Sequence, residues 1–284
     1  METLKDIVII YHADCRDGFG AAYAAWKKFG DTASYIPLKA HVNEPPEALT
    51  SKEIYIVDFS FTKDVLQALV DTNKKVLVID HHISAKDDVT AFAENIFDND
   101  HSGAVLAWQY FHPEADVPEL LKYVEDVDLW CFALPESREF STALGTIDMT
   151  FQAWDTLITD LQNTDKLINF IAKGALLAKF EDRLVAHTMK RRERVLFEGH
   201  EVWALNTSEY VSILGNNLAE LNLAEGQEPI GIVYYHADNK VKISLRSMGN
   251  SDVAAIASKY GGGGHKNAAG ISVASFDELP FSFL

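Results

Sequence analysis

Residues 74–82, KKVLVIDHH, run from two lysines through four apolar positions into an aspartate and two histidines. A short run of β-branched and aliphatic residues bounded by polar ones reads as a strand buried on both faces. Two similar runs precede it, DIVIIY (6–11) and EIYIVDFS (53–60). Helical patterns fall between them: DGFGAAYAAWKKFG (17–30), closing near Gly30, and TKDVLQALVDT (62–72), with Thr62 placed as an N-cap. Strands alternating with helices predict an α/β fold, a parallel sheet with flanking helices. SGAVLAWQYFH (102–112) and VPELLKYVEDVDLW (117–130) continue as helices.

The pattern changes in the second half. Residues 165–194 read as mostly helical and end in a basic cluster, KRRERV (190–195), whose simplest reading is a solvated helix face. Beyond position 200, EVWALN, YVSILG, PIGIVYYHA and KVKISLRS read as strands, DVAAIASKY (252–260) as a helix and ISVAS as a last short strand. The expected organisation is an α/β domain over 1–164, a long helical linker over 165–198, and a smaller α+β domain over 199–284.

Composition sets limits. The chain has 284 residues, the size of one large domain or two medium ones, and 48% of them are hydrophobic, ample for a packed core. Two cysteines, Cys15 and Cys131, are too few for a disulfide framework and fit a reducing cytoplasm. The beginning, METLKDIVIIYH, reads as an exposed start followed by a strand rather than a signal peptide. No apolar run reaches membrane-spanning length. The net charge of −17 argues against gripping long nucleic acid through many phosphate contacts, but leaves room for a small anionic substrate held by metal.

Open α/β sheets collect functional groups at the carboxyl ends of their strands. The first strand runs into His12, Asp14 and Asp17, the second into Asp58, and the third into Asp80, His81 and His82. Singly, each is ordinary: a strand-end aspartate usually caps the next helix, and a buried histidine is usually a satisfied core residue. Three parallel strands delivering carboxylates and imidazoles to one edge point instead to a metal centre. Such ligands without a thiolate pair favour Mn(II), with Mg(II) next, and several aspartates can hold two ions. Two-ion centres suit phosphoester hydrolysis, activating water and neutralising charge on the phosphate oxygens. Cys15, among these residues, reads as a small packed side chain, with a soft ligand as the alternative. Asp126 and Asp128, two apart near a helix end, offer one further ligand between them.

GGGGHKNAAG (261–270) carries another message. Successive glycines, here Gly262, Gly263 and Gly264, let backbone N–H groups approach an anion closely. His265, Lys266 and Asn267 add donors. Arg246 can clamp a phosphate with two parallel bonds, and Ser247 adds a hydroxyl.

In chain order, YHADCRDGFGAA, IVDFS, VIDHH and VEDVDLW resemble the four motifs of the DHH phosphoesterases, and SLRS followed by AIASKYGGGGHKNAAG resembles the substrate-binding region of the DHH-associated C-terminal domain. The resemblance implies two lobes with a cleft between them and two Mn(II) ions on the first. It implies His12, Asp17, Asp58, His81 and Asp128 as metal ligands, Asp80 as a bridging or supporting group, and His82 beside the scissile phosphate. Arg246, Gly263, Gly264 and His265 would hold the terminal phosphate or the base. One departure stands out: Cys15 falls where an aspartate is expected, so Asp14 substitutes for it or the site has one carboxylate fewer. The expected activity is hydrolysis of short linear oligonucleotides, dinucleotides such as pGpG first, to 5′-mononucleotides. The alternatives are a phosphatase of small anhydrides or nucleotides (pyrophosphate, polyphosphate, pAp) and a single-strand exonuclease.

Overall fold

The computed structural model describes residues 4–39, 42–92 and 94–284. The exposed start read over residues 1–3 lies outside them. The chain divides into two compact units, one ending at Ala178 and the other spanning Lys179–Leu284.

In the first unit, β1 (Ile7–His12), β2 (Ala33–Leu38), β3 (Glu53–Val57), β4 (Lys75–Asp80) and β5 (Asn95–Phe97) form a sheet in the order β2-β1-β3-β4-β5. Every pairing is parallel. Successive side chains point to opposite faces, and both faces are apolar. Ile9, Tyr55, Val57, Leu77 and Ile79 face one core, shared with α1 (Arg16–Phe29), α4 (Gly103–Phe111), α5 (Glu119–Asp128), α6 (Ser137–Leu144) and α7 (Phe151–Leu161). Val8, Ile10, Ile54, Ile56, Val76 and Val78 face the other, against α2 (Lys63–Thr72) and α3 (Lys86–Thr90). This explains why the strands read as unbroken apolar runs. The α/β parallel-sheet expectation therefore holds. Thr62 stands at the N-cap of α2, but its side chain makes no capping bond there; its hydroxyl accepts from Asn43 instead. β2 carries Pro37, which a sheet tolerates at its edge, where this strand lies.

The division between the units falls within the 25-residue helix α8 (Thr164–Thr188). The helical pattern read to residue 194 stops at Thr188. After a single 3₁₀ turn the chain enters β6 (Glu193–Phe197), because Val195 and Phe197 alternate inward at period two.

The second unit is built on a seven-stranded sheet: β6, β7 (His200–Asn206), β8 (Ile230–Ala237), β9 (Lys240–Ser247), β10 (Gly263–His265), β11 (Ala268–Val273) and β12 (Phe281–Phe283). Its order is β10-β11-β9-β8-β7-β6-β12. α9 (Val211–Ala224) packs on one face through Leu214 and Leu218, and α10 (Val253–Lys259) on the other through Val253 and Ala257. The strand read at YVSILG is corrected here, since those residues open α9. β7 and β8 pair in parallel, which demands a crossover, and α9 supplies it. Among the described residues no helix is long and apolar enough to cross a membrane.

Gly18 fixes how closely α1 approaches the end of β1: a Cβ there would lie 2.2 Å from the His12 carbonyl oxygen and 2.7 Å from the His12 Cβ. Gly18→Ala must therefore push helix and strand apart. We expect a destabilisation of about 1–3 kcal/mol, read as a lower melting temperature; an unchanged melting temperature would show that this contact does not constrain the fold.

Candidate active site

The sheet order creates the site. The chain leaves β1 to one side for β2 and returns to the other side for β3, so a crevice opens beyond the carboxyl ends of β1 and β3. His12 ends β1, and Asp58 follows β3 with a left-handed φ of 53°. Asp80 ends β4 and is followed directly by His81 and His82. Asp17 sits in the first turn of α1, and Asp128 is the last residue of α5.

These side chains converge. His81 Nε2 lies 3.2 Å from Asp58 Oδ1, 3.5 Å from Asp17 Oδ2 and 3.6 Å from Asp128 Oδ2. His12 Nδ1 lies 3.5 Å from Asp58 Oδ2. Among the described residues, three sets bring their ligand atoms within 4.8 Å of one another: His12, Cys15 and Asp58; Asp58, His81 and His82; Asp17, His81 and Asp128. Asp58 belongs to two sets and sits between the others. It is 1% exposed, and among the described residues neither of its carboxylate oxygens has a hydrogen-bond donor; nor does Asp80 Oδ2. Buried, unsatisfied carboxylate oxygens are costly unless a cation meets them. The donor set of carboxylates and imidazoles fits divalent cations at two adjacent positions.

Electrostatics agree. Burial, then the Asp17 charge, drives the Asp58 carboxyl well above the usual carboxylate range. Burial and Asp17 also push Asp128 up to about 7, although 28% of its side chain stays open to water and tempers the effect. Burial pushes the Cys15 thiol up, reinforced by Asp58 and Asp17. Burial alone would lower His82; its 2.7 Å bond to Asp80 and the Asp58 charge outweigh this and raise it to about 9.

Other groups hold the cluster in place. Asp17 accepts bonds from Gly103 N at 2.7 Å and Ala104 N at 2.9 Å, so it caps α4 while facing His81. A side chain at Gly103 would strike Asp58, its Cβ falling 2.5 Å from the Asp58 Cβ. Asp80 Oδ1 accepts from His81 N, His82 N and His82 Nδ1, turning the chain and aiming both imidazoles. Asp80 belongs to none of the three sets, which suits the supporting role among those expected of it. Asp126 accepts from Ala133 N and Leu134 N and organises the loop after α5, which leaves Asp128 as the member of that pair in the cluster.

Asp14 departs from expectation. It is exposed, takes a left-handed φ of 56°, and joins none of the three sets. Cys15 takes that place instead. Spacing could not reveal this, because a single left-handed residue in the turn decides which neighbour faces inward.

In the second unit Arg246 is held firmly. Its Nη2 donates to Ser212 Oγ at 2.7 Å, and its Nη1 to Ser244 Oγ and to the Leu245 carbonyl, both at 3.0 Å. Its side chain crosses α9 at Gly215, where a Cβ would sit 2.8 Å from Arg246 Cγ. Ser247 and Asn267 are spent on structure: Ser247 Oγ donates to the Ser251 carbonyl, and Asn267 Nδ2 to the Ser247 carbonyl. The glycine run forms a hairpin rather than an open nest: Gly263, Gly264 and His265 pair with β11, and Gly262 packs against the Gly270 carbonyl. Lys266 gives its carbonyl to Val253 N, and its side chain lies in an exposed position. Ser212 was not legible as part of this group, because its stretch read as a strand.

Comparison with known proteins accords with this picture. Residues 211–280 match the DHHA1 domain. The chain is 28% identical to the uncharacterized protein R106 of Acanthamoeba polyphaga mimivirus, over 96% of this chain and 69% of that one. It is 24% identical to the oligoribonuclease NrnB of Bacillus subtilis strain 168, over 93% of this chain and 72% of that one. A solved DHH domain, from a protein described as a member of a family of ribosomal proteins, shares the fold with a TM-score of 0.59 at 12% identity, covering 99% of this chain and 83% of that one. A parallel sheet ending in clustered carboxylates and imidazoles is joined here, in one chain, to a region that matches the DHHA1 domain. The second unit thus carries a DHHA1-domain match, and the chain as a whole shares the fold of a solved DHH domain.

The raised Asp128 carboxyl makes a pH prediction for metal-free protein. Its value in the fold, about 7, exceeds the ordinary 3.8 of the unfolded chain. Below about pH 4 both states keep the proton and no destabilisation arises; as pH rises towards 7 the unfolded chain ionises first, so stability falls. Asp128→Asn removes this effect. In chelator, the variant should melt with wild type near pH 4 and above it at pH 8. Coincident melting at both pH values would refute the crowding of charge described here.

Proposed function

We propose that the protein is a divalent-metal-dependent phosphodiesterase of the cytoplasm, cutting short linear oligonucleotides, dinucleotides such as pGpG first, to 5′-mononucleotides. The observation carrying this reading is the pair of donorless Asp58 oxygens between two adjacent ligand sets. His12, Asp17, Asp58, His81 and Asp128 would hold two ions, with Mn(II) favoured and Mg(II) next. Bound there, the ions would supply an activated water and positive charge for the phosphate oxygens.

The chain's own residues do the rest. Asp80 keeps a proton on His82 Nδ1 and so maintains an imidazolium beside the carboxylates. That charge serves the anionic phosphate of the substrate. Arg246, held by Ser212 and Ser244, presents a fixed guanidinium to a terminal phosphate, with Gly263, Gly264, His265 and Lys266 on the hairpin whose Ala268 pairs with Arg246. Two facts favour short substrates. The net charge of −17 opposes long polyanions. The relative NrnB is described as an oligoribonuclease.

The test is a Mn(II)-supplemented assay on 5′-phosphorylated RNA from two to about ten nucleotides, with products resolved by chromatography. Dimers should disappear fastest and yield mononucleotides. Faster cutting of long strands would mean an exonuclease, and free phosphate without nucleotide products from dimers would mean a phosphatase. Arg246→Ala should raise KM for a phosphorylated dimer by roughly 10- to 150-fold, the loss of one charge-assisted bond of about 1.5–3 kcal/mol. An unchanged KM would remove Arg246 from substrate binding. Asp80→Ala should abolish turnover with the fold retained; near-wild-type activity would overturn the role given to Asp80.

A further inference from the structure

We propose that Cys15 is a thiolate ligand of one cation position, with His12 and Asp58, so that the centre pairs a sulfur-bearing position with one ligated only by oxygen and nitrogen. The inference rests on the metal-centre part of the proposed function and not on its substrate. Three observations carry it.

The Cys15 sulfur, a His12 ring nitrogen and an Asp58 oxygen lie within 4.8 Å of one another. Asp58 is 1% exposed and, among the described residues, neither of its oxygens has a hydrogen-bond donor; Oδ2 faces His12 and Oδ1 faces His81. The geometry is also enforced. Gly18 allows α1 to press on His12, which brings Cys15, the residue just before that helix, onto the strand end. Asp14, the carboxylate that would otherwise have served, lies exposed and outside the set.

The opposite set, Asp17, His81 and Asp128, has no sulfur. Thiolates favour softer ions such as Zn(II), Co(II) and Fe(II), whereas carboxylates with few imidazoles suit Mn(II) and Mg(II). The two positions therefore differ in preference. On binding, the sulfur–metal bond forms as the S–H bond breaks, and the proton leaves to water.

Cobalt(II) reports this directly, because a cobalt–thiolate bond gives an intense near-ultraviolet charge-transfer band that oxygen and nitrogen ligands do not. Metal-free full-length protein titrated with Co(II) should develop the band. Cys15→Ser and Cys15→Asp should each lose it while still binding cobalt by elemental analysis. Cys131→Ser, which alters the exposed second cysteine, should keep it. Cys15→Asp should also tighten Mn(II) relative to Zn(II) in competition, and it provides the check should Cys15→Ser fail to fold. A band that survives either Cys15 variant, or wild type that shows none, would overturn the proposal. A band in a protein that cuts no dinucleotide would keep the thiolate and discard the diesterase reading; dinucleotide cutting without a band would do the reverse.

Discussion

Buried negative charge at one sheet edge is the constraint around which the first unit is organised. Asp17, Asp58 and Asp80 are each 1% exposed, and Asp128 stands at their margin. Carboxylates taken out of water repel one another and lose hydration. The fold offsets part of this with the N–H groups of α4, which meet Asp17, and with the imidazoles of His81 and His82. It leaves the Asp58 oxygens without donors. A centre built this way is poised for cations, and its metal-free form is held together by apolar cores on both faces of the sheet.

The parts of the site that were legible in the sequence are those joined directly to a strand. His12, Asp58, Asp80 and His81 follow apolar runs, and a parallel sheet must deliver the ends of such runs to one edge. The parts that were not legible depend on local backbone choices or on distant packing. Asp14 and Cys15 are neighbours, and only a left-handed φ at Asp14 decides between them. Asp126 and Asp128 look equivalent in VEDVDLW until the loop at Ala133 and Leu134 claims Asp126.

The second unit was harder for a related reason. YVSILG is a short, mostly apolar run that reads as a strand over six residues, but Leu214 and Leu218, four apart, are the pair that packs. The parallel pairing of β7 with β8 required a helix there, and parallel pairing cannot be read from either strand alone. Once α9 is in place, Ser212 reaches Arg246, and Gly215 is seen as the gap through which the arginine passes. Ser247 and Asn267, polar residues beside a glycine run, looked like ligand donors and are in fact the stitching between β9 and the hairpin.

The double engagement of Asp17 shapes how this chain can drift over generations. The same carboxylate that faces His81 also terminates α4, whose residues Ala104, Leu106, Ala107 and Trp108 lie in the larger core. A lineage could exchange Asp128, whose side chain is 28% exposed at the margin of the cluster, with less disturbance to the core. It could not discard Asp17 without unfastening a central helix, although asparagine, which retains an acceptor oxygen, offers a tolerable exit. Aspartate or asparagine at this position is therefore a record of architecture, whereas the residue at 128 records what the cluster itself requires.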